Sequence, residues 1–303
     1  MASQSLQQNF MQSFWALGAA ASFSVMAACI KLSAADLSTF ELVFYRSVFS
    51  ALSIAFVVAS RGGTLKTRYF GHHILRSVLG VLSVVLWFWA LGRMQFASCM
   101  TLTYTTPLFM AATFIVAALL KGRRAPWMMT ASILVGFVGI VAILRPSISG
   151  DELVPALMCL SVAAIDLVTY WQMKRMGRLN EPSWRIVFYF SVLGIAFALV
   201  GILLTGGFHA LDLRAAAGVL AMGFFATVGQ ICTTKSYAYG NLLLSSCLGF
   251  SAIPFSAVTG VLLFGDALQA SSMLGMTLIV ISGMAASVST KREQARQKSE
   301  GVS

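Results

Sequence analysis

Ten stretches of this chain, each about 20 residues long and nearly free of charge, restrict the environment in which it can fold. A helix of that length crosses the roughly 30 Å hydrocarbon layer of a bilayer. The stretches fall at 14–32, 38–59, 74–91, 96–119, 127–144, 153–172, 186–204, 212–231, 241–264 and 270–289. Only 10% of the 303 residues are charged and 58% are hydrophobic, whereas about a quarter of a soluble domain is charged. The sequence therefore predicts an all-α polytopic membrane protein of ten transmembrane helices, with short loops and no soluble domain. Residues 1–13 carry no Lys or Arg, and the first apolar run is longer than a signal-peptide core, so it is read as a retained helix.

The net charge of +11 would point to nucleic acid in a soluble protein. In a ten-span chain it reports orientation instead. With the amino terminus inside, 16 of the 21 Lys and Arg residues fall on inner loops and the tail, Arg76 among them. Outer loops hold Lys31, Arg93, Arg145 and Arg214, and Arg46 lies within a span. This split follows the positive-inside rule and predicts a multi-pass protein of the cell inner membrane with both termini cytoplasmic. The cysteines at 29, 99, 159, 232 and 247 form no CxxC pair and are read as small apolar packing residues.

Two prolines, Pro107 and Pro254, sit mid-way along long apolar segments at matching places in the two halves. Proline removes a backbone donor and clashes with the preceding turn, so in a bilayer it persists where protein or a water-filled cavity satisfies the freed groups. Interrupted spans at corresponding positions of a duplicated chain point to a transporter's binding site. Each proline is followed by an apolar run, a Gly-containing turn and a last helix with a central glycine, Gly139 or Gly283. Similar spacing with an odd number of spans per half predicts two inverted five-helix repeats, 14–146 and 151–289, followed by a charged cytoplasmic tail, 290–303. Glu41 with Arg46, and Glu181 with Arg185, form a further acid–base correspondence at the starts of the second and seventh spans.

Within the spans, polar residues nominate a substrate site. Arg46 lies about two turns into its span, where a guanidinium costs on the order of 3 kcal/mol; it either contacts an anionic substrate group, or snorkels to the outer interface or pairs with a helix carbonyl. Asp166 is a deep carboxylate, read either as a proton- or cation-binding group or as a helix-to-helix hydrogen bond with a partner such as Lys235. Gln230, Thr233, Thr234 and Lys235 make a polar stripe. Tyr104, Thr105 and Thr106 precede Pro107, while Ser245, Ser246 and Ser251 precede Pro254. Trp87, Trp89 and Trp171 are read as stacking surfaces or interfacial anchors. The nominated substrate-binding set is Arg46, Trp87, Tyr104, Asp166 and Gln230, with Pro107 and Pro254 as helix breaks for gating. The cavity is expected between the third, fourth, eighth and ninth spans.

No GxGxxG or GxxxxGK[ST] loop and no HExxH spacing occurs, so neither ATP-driven transport nor a metal centre is expected, and no cofactor. His72 and His73 are assigned to a basic inner loop. An intramembrane enzyme would need a nucleophile and base or a metal site within the bilayer, yet no histidine falls inside a predicted span. A membrane sensor would need an output domain or a longer tail.

FYRSVFS (44–50), WFWALGRMQFASCMTLTYTTPLF (87–109), GFVGIVAILRP (136–146) and the block from Pro254 to Gly283 resemble, in order and spacing, the drug/metabolite transporter superfamily in its EamA branch. The resemblance covers nearly the whole chain. It implies ten helices in two repeats and secondary transport of a small polar metabolite by alternating access. Amino acids and their derivatives, S-adenosylmethionine, riboflavin and metallophores are the implied cargoes. Segments 65–77 and 161–168 look most like the subgroup of S-adenosylmethionine and riboflavin uptake carriers, although exporters of metallophores, amino acids or toxic small molecules share the framework. Protons are a candidate coupling ion and a homodimer a candidate assembly. Family members commonly carry a Gly-Glu turn after each proline helix; here the second repeat has Gly265-Asp266 and the first has Lys121-Gly122-Arg123-Arg124.

Overall fold

The computed structural model describes residues 11–120, 122, 127–148, 151–267 and 269–300. Among them the chain forms twelve helical elements: α1 (Trp15–Ser33), α2 (Thr39–Ser60), α3 (Phe70–Leu91), α4 (Phe96–Thr103), α5 (Thr106–Leu120), α6 (Trp127–Ile148), α7 (Leu153–Arg178), α8 (Ser183–Leu204), α9 (Leu213–Tyr239), α10 (Leu242–Gly249), α11 (Ala252–Phe264) and α12 (Ala270–Glu300). Six helices are long and apolar enough to cross a membrane, and shorter apolar helices accompany them. The count reconciles with ten spans because the fourth is split into α4 and α5, and the ninth into α10 and α11. Phe56, Leu120, Leu204 and Leu262 are all three-quarters or more exposed, a surface suited to acyl chains.

The prolines do not occupy the centres of kinked helices. Tyr104 and Thr105 interrupt the fourth span, and Phe250 and Ser251 the ninth; Pro107 and Pro254 then fall in the first turn of α5 and α11. A proline there loses no intrahelical bond, because first-turn N–H groups have no partner within the helix. The carbonyls released at the breaks are taken up locally. Thr105 Oγ1 donates to Leu102 O at 2.7 Å and Ser251 Oγ to Leu248 O at 2.7 Å.

Helix packing obeys the exchange expected of inverted repeats. α1 packs on α9 as α3 packs on α7, α2 meets α9 as α8 meets α3, and the self-related pairs α2/α8 and α6/α12 close the bundle. Small residues permit the close crossings. Gly194 on α8 sits against Ser47 of α2, and a Cβ at Gly139 of α6 would lie 2.9 Å from the Gly275 carbonyl of α12. The side-chain surroundings of Gly283, Arg145 and Cys247, and the turn residues Lys121, Arg123 and Arg124, lie outside the described residues.

The two ends of the bundle differ in charge. One bears the basic 61–68 loop with Arg175 and Arg178, and the other bears Asp36, Glu41, Glu152, Asp212 and Asp266. Each end closes over the start of a broken span with matched chemistry. At the acidic end Lys31 Nζ donates to Met94 O at 3.1 Å; at the basic end Lys174 Nζ donates to Gly240 O at 2.6 Å. Across the repeats, Glu152 accepts from Gln95 N at 3.2 Å, and Ser13 Oγ accepts from Asn241 N at 2.8 Å. The acidic end has a further lock, since Asp266 Oδ2 accepts from Ala97 N at 3.4 Å and Gln95 Nε2 donates to Ala267 O at 3.0 Å. Glu152 and Asp266 thus place two anions on the N-terminus of α4, where each contributes about 0.3–1 kcal/mol. Exchanging both for their amides, Glu152→Gln with Asp266→Asn, is expected to loosen this end. The buried thiols of Cys99 and Cys159 should then react several-fold faster with a charged maleimide in detergent, as read by peptide mass spectrometry, with unchanged protection as the contrary result.

Candidate functional site

A central cavity of about 80 Å³ opens where α1, α2, α3, α7, α8 and α9 converge on the break after α4. The five residues nominated from sequence all line it: Arg46, Trp87, Tyr104, Asp166 and Gln230. They come from four different spans and from the break itself. Pro107 and Pro254 are not among the lining residues. The expected wall also changes, because none of the described residues of the ninth span lines it: α11 packs instead against α1 and α4, and Ser245, Ser246 and Ser251 spend their hydroxyls on backbone carbonyls. In its place the first, second, sixth and seventh spans supply walls.

Arg46 reaches the cavity because the capping box of Ser38 and Glu41 fixes where α2 begins, which puts residue 46 on the buried side. Its Nη2 donates to Gln230 Oε1 at 3.1 Å, and its guanidinium lies 5.0 Å from the Phe190 ring. One interhelical hydrogen bond is worth about 0.6–1.7 kcal/mol, less than the roughly 3 kcal/mol cost of an intramembrane guanidinium. Arg46 is therefore not explained by that bond alone, and its Nε has no partner.

Arg76, counted from sequence as a loop cation, is the residue that sequence reading missed. α3 starts at Phe70, four residues before the predicted boundary, so Arg76 lies in its second turn and is 2% exposed. It faces the other side of the same problem: its guanidinium is 4.2 Å from the Phe190 ring, and Nε and Nη1 are buried without partners. Gly80, one turn on, makes this possible, since a side chain there would collide with Arg76 Nη1 and Phe190. The signal was a stripe of Arg76, Gly80, Ser83 and Trp87 at spacings of four, three and four, one face of a helix.

Asp166 on α7 accepts from Ser83 Oγ at 2.7 Å. Lys235 is not its partner; that ammonium sits 4.2 Å from the Trp15 ring. Trp87 meets Phe23 edge-on at 6.4 Å, with its Nε1 buried and unbonded. Tyr170, stacked on Tyr237 at 3.8 Å, completes the wall beside Asp166. Thr233 also lines the cavity, while Thr234 bonds Gln230 O within α9. Trp89 carries Arg93 over its ring at 4.2 Å, and Trp171 is 44% exposed, so both are placed as edge residues.

The two acids at the starts of α2 and α8 differ in partner, and only Glu181 pairs with the arginine of its own segment. Glu41 accepts from His209 N at 2.6 Å and lies 2.7 Å from His209 Nδ1, far from Arg46. Glu181 does pair with Arg185, at 2.7 Å, and also lies 3.2 Å from His73 Nε2 while accepting from Thr67 Oγ1. His73 is thus a buried residue of α3, not part of a loop.

Burial works to raise the Glu181 pKa. Hydrogen bonds from Thr67, His73 and Arg185, together with the Arg185 charge, outweigh it and leave the carboxyl below its ordinary value. A depressed folded-state pKa means that Glu181 adds stability above its unfolded value of about 4.3, and that this is lost as pH falls through the folded value. Glu181→Gln should cost on the order of 1–3 kcal/mol at neutral pH. It should also flatten the decline in Tm that the unsubstituted chain shows below about pH 5, measured by thermal unfolding in detergent.

Helices that pack as inverted repeats around a polar cavity define a polytopic membrane protein with a candidate small-molecule site between its halves. Residues 11–145 match the EamA-like transporter family. The pseudopaline exporter CntI of Pseudomonas aeruginosa is 27% identical over 269 residues, covering 89% of this chain and 93% of that protein. A riboflavin transporter of Vibrio cholerae is 25% identical over 72% of each chain, and an S-adenosylmethionine uptake transporter of Rickettsia bellii is 27% identical over 52% of each. A solved crystal structure superposes with a TM-score of 0.64 over 90% of this chain and 96% of the other, at 20% identity, which shows the shared fold. The match over residues 11–145 and these relatives support the resemblance to the EamA branch of the drug/metabolite transporter superfamily that the sequence motifs carry.

Proposed function

We propose that this protein is an inner-membrane secondary transporter that carries a small polar metabolite, an amino-acid-like compound, S-adenosylmethionine or a similar molecule, by alternating access. The observation that carries the reading is the convergence of Arg46, Arg76, Trp87, Tyr104, Asp166 and Gln230 on one cavity at the junction of the repeats. At about 80 Å³ the cavity is well below the ~300–1,000 Å³ of small-molecule pockets, so binding a metabolite requires it to widen. The repeats, taken as 14–146 and 151–289, are the proposed moving units, with the breaks ahead of Pro107 and Pro254 as hinges. The guanidinium of Arg46 holds a carboxylate, the aromatic walls hold the apolar part of the cargo, and Asp166 carries the coupling proton. The distribution of Lys and Arg supports a cytoplasmic position for both termini. Export of a metallophore, an amino acid or a toxic small molecule is the second reading, favoured by the extent of the match to the pseudopaline exporter.

Purified protein screened for thermal stabilisation against metabolites, then reconstituted in vesicles under an imposed pH gradient, tests both readings. Arg46→Ala is expected to lower transport at least tenfold, the loss of a charge-assisted hydrogen bond of about 1.5–3 kcal/mol. Asp166→Asn should abolish the response to the gradient. Full transport with unchanged pH dependence in both variants would remove the assigned roles.

A further inference from the structure

We infer that the cavity takes a cargo of net negative charge, so that a cargo bearing an amine must also bear at least two acidic groups. This deepens the transport reading above and rests on it, and it narrows the cargoes named there to the anionic ones, setting aside S-adenosylmethionine, a net cation. The ionisable residues lining the cavity are Arg46, Arg76, Asp166, Tyr104 and Tyr170. Tyrosines are neutral near pH 7 and a guanidinium stays protonated, so with Asp166 ionised two cations face one anion. Protonation of Asp166 makes the imbalance larger. The charges nearest along α3, toward the basic end, do not correct it, because His73 and Arg185 are already engaged with Glu181.

The excess positive charge is also the part of the site whose hydrogen bonds are incomplete. Asp166 has its Ser83 donor, but Arg46 Nε and Arg76 Nε and Nη1 have none, and both guanidinium groups are 3% exposed or less. The Phe190 ring stands within 5.0 Å of Arg46 and 4.2 Å of Arg76. Such a ring attracts a cation but accepts no directed N–H bond comparable to a carboxylate. Two forks of buried donors around one apolar ring are therefore prepared for oxygen acceptors. A carboxylate, phosphate or sulfonate supplies these in the bidentate geometry that guanidinium prefers. The exchange of one repeat for the other places Phe190 opposite Arg46, in VFYF at 187–190 against VFYR at 43–46. A single basic residue of the duplicated motif was thus not matched in α8; α3 supplies the second cation.

The test uses the full chain in detergent and a metabolite library that includes charge-matched sets: glutamate with glutamine, aspartate with asparagine, and succinate with succinamide. Stabilising compounds are expected to be anions. Their apparent affinity should fall about tenfold or more in Arg46→Gln and in Arg76→Gln, whereas Arg76→Lys, which keeps the charge without the fork, should retain the preference for anions at reduced affinity. Stabilisation led by neutral or cationic compounds overturns this inference and leaves the transport reading standing. Stabilisation by no compound removes the transport reading, and this inference with it. If Arg76→Gln does not fold, the charge ranking on the unsubstituted chain and on Arg76→Lys decides the matter.

Discussion

A bilayer offers no hydrogen-bond partner to an exposed N–H or C=O, and every irregular feature of this bundle answers to that constraint. Breaking the fourth and ninth spans frees backbone groups in the middle of the membrane. The chain satisfies two of these carbonyls from within, through Thr105 at the first break and Ser251 at the second, while Thr101, Thr103 and Ser246 bond back to carbonyls of their own helices. Hydroxyls that seemed equally suited to a cargo are thereby committed to the backbone. Tyr104, whose side chain is too long to fold back in this way, is the break residue left facing the cavity.

The same constraint makes the ends of the bundle informative. The start of each broken span is covered by a lysine from its own repeat and by a side chain from the other repeat. Opening either end must therefore separate contacts that join the repeats. The two seals are not equal in kind. The acidic end adds Asp266, from the Gly-Asp turn of the second repeat, to the N-terminus of α4.

Much of this was legible in the sequence, for identifiable reasons. Apolar length and charge asymmetry are properties of whole segments, so ten spans and their alternation could be read without tertiary information. Arg46, Asp166 and Gln230 stood out because a polar side chain within a span is costly wherever it points. What failed depended on helix boundaries and rotation. A start at Phe70 in place of residue 74 changes Arg76 and His73 from loop residues to buried ones. Lys235 was a plausible partner for Asp166 by depth, yet the packing of α1 against α9 turns it onto Trp15. The role of Phe190 was invisible, because an aromatic residue in an apolar run carries no mark of the two guanidinium groups gathered around it.

Phe190 also explains how two like charges coexist in so small a space. At an effective dielectric near 20, guanidinium groups several ångströms apart repel by a few kcal/mol. A ring whose faces attract cations recovers on the order of 2 kcal/mol when desolvated, and the Gln230 carbonyl and Asp166 reduce the remainder. The balance stays unfavourable, and on the reading proposed above this is what makes the site selective. A site already neutral and fully bonded gains little from an ionic cargo, whereas a site with surplus positive charge and unsatisfied donors is stabilised most by the ligand that corrects both at once. On the proposed transport reading, closure around such a ligand is favoured over closure without it, and this electrostatic balance is what couples occupancy to movement of the repeats.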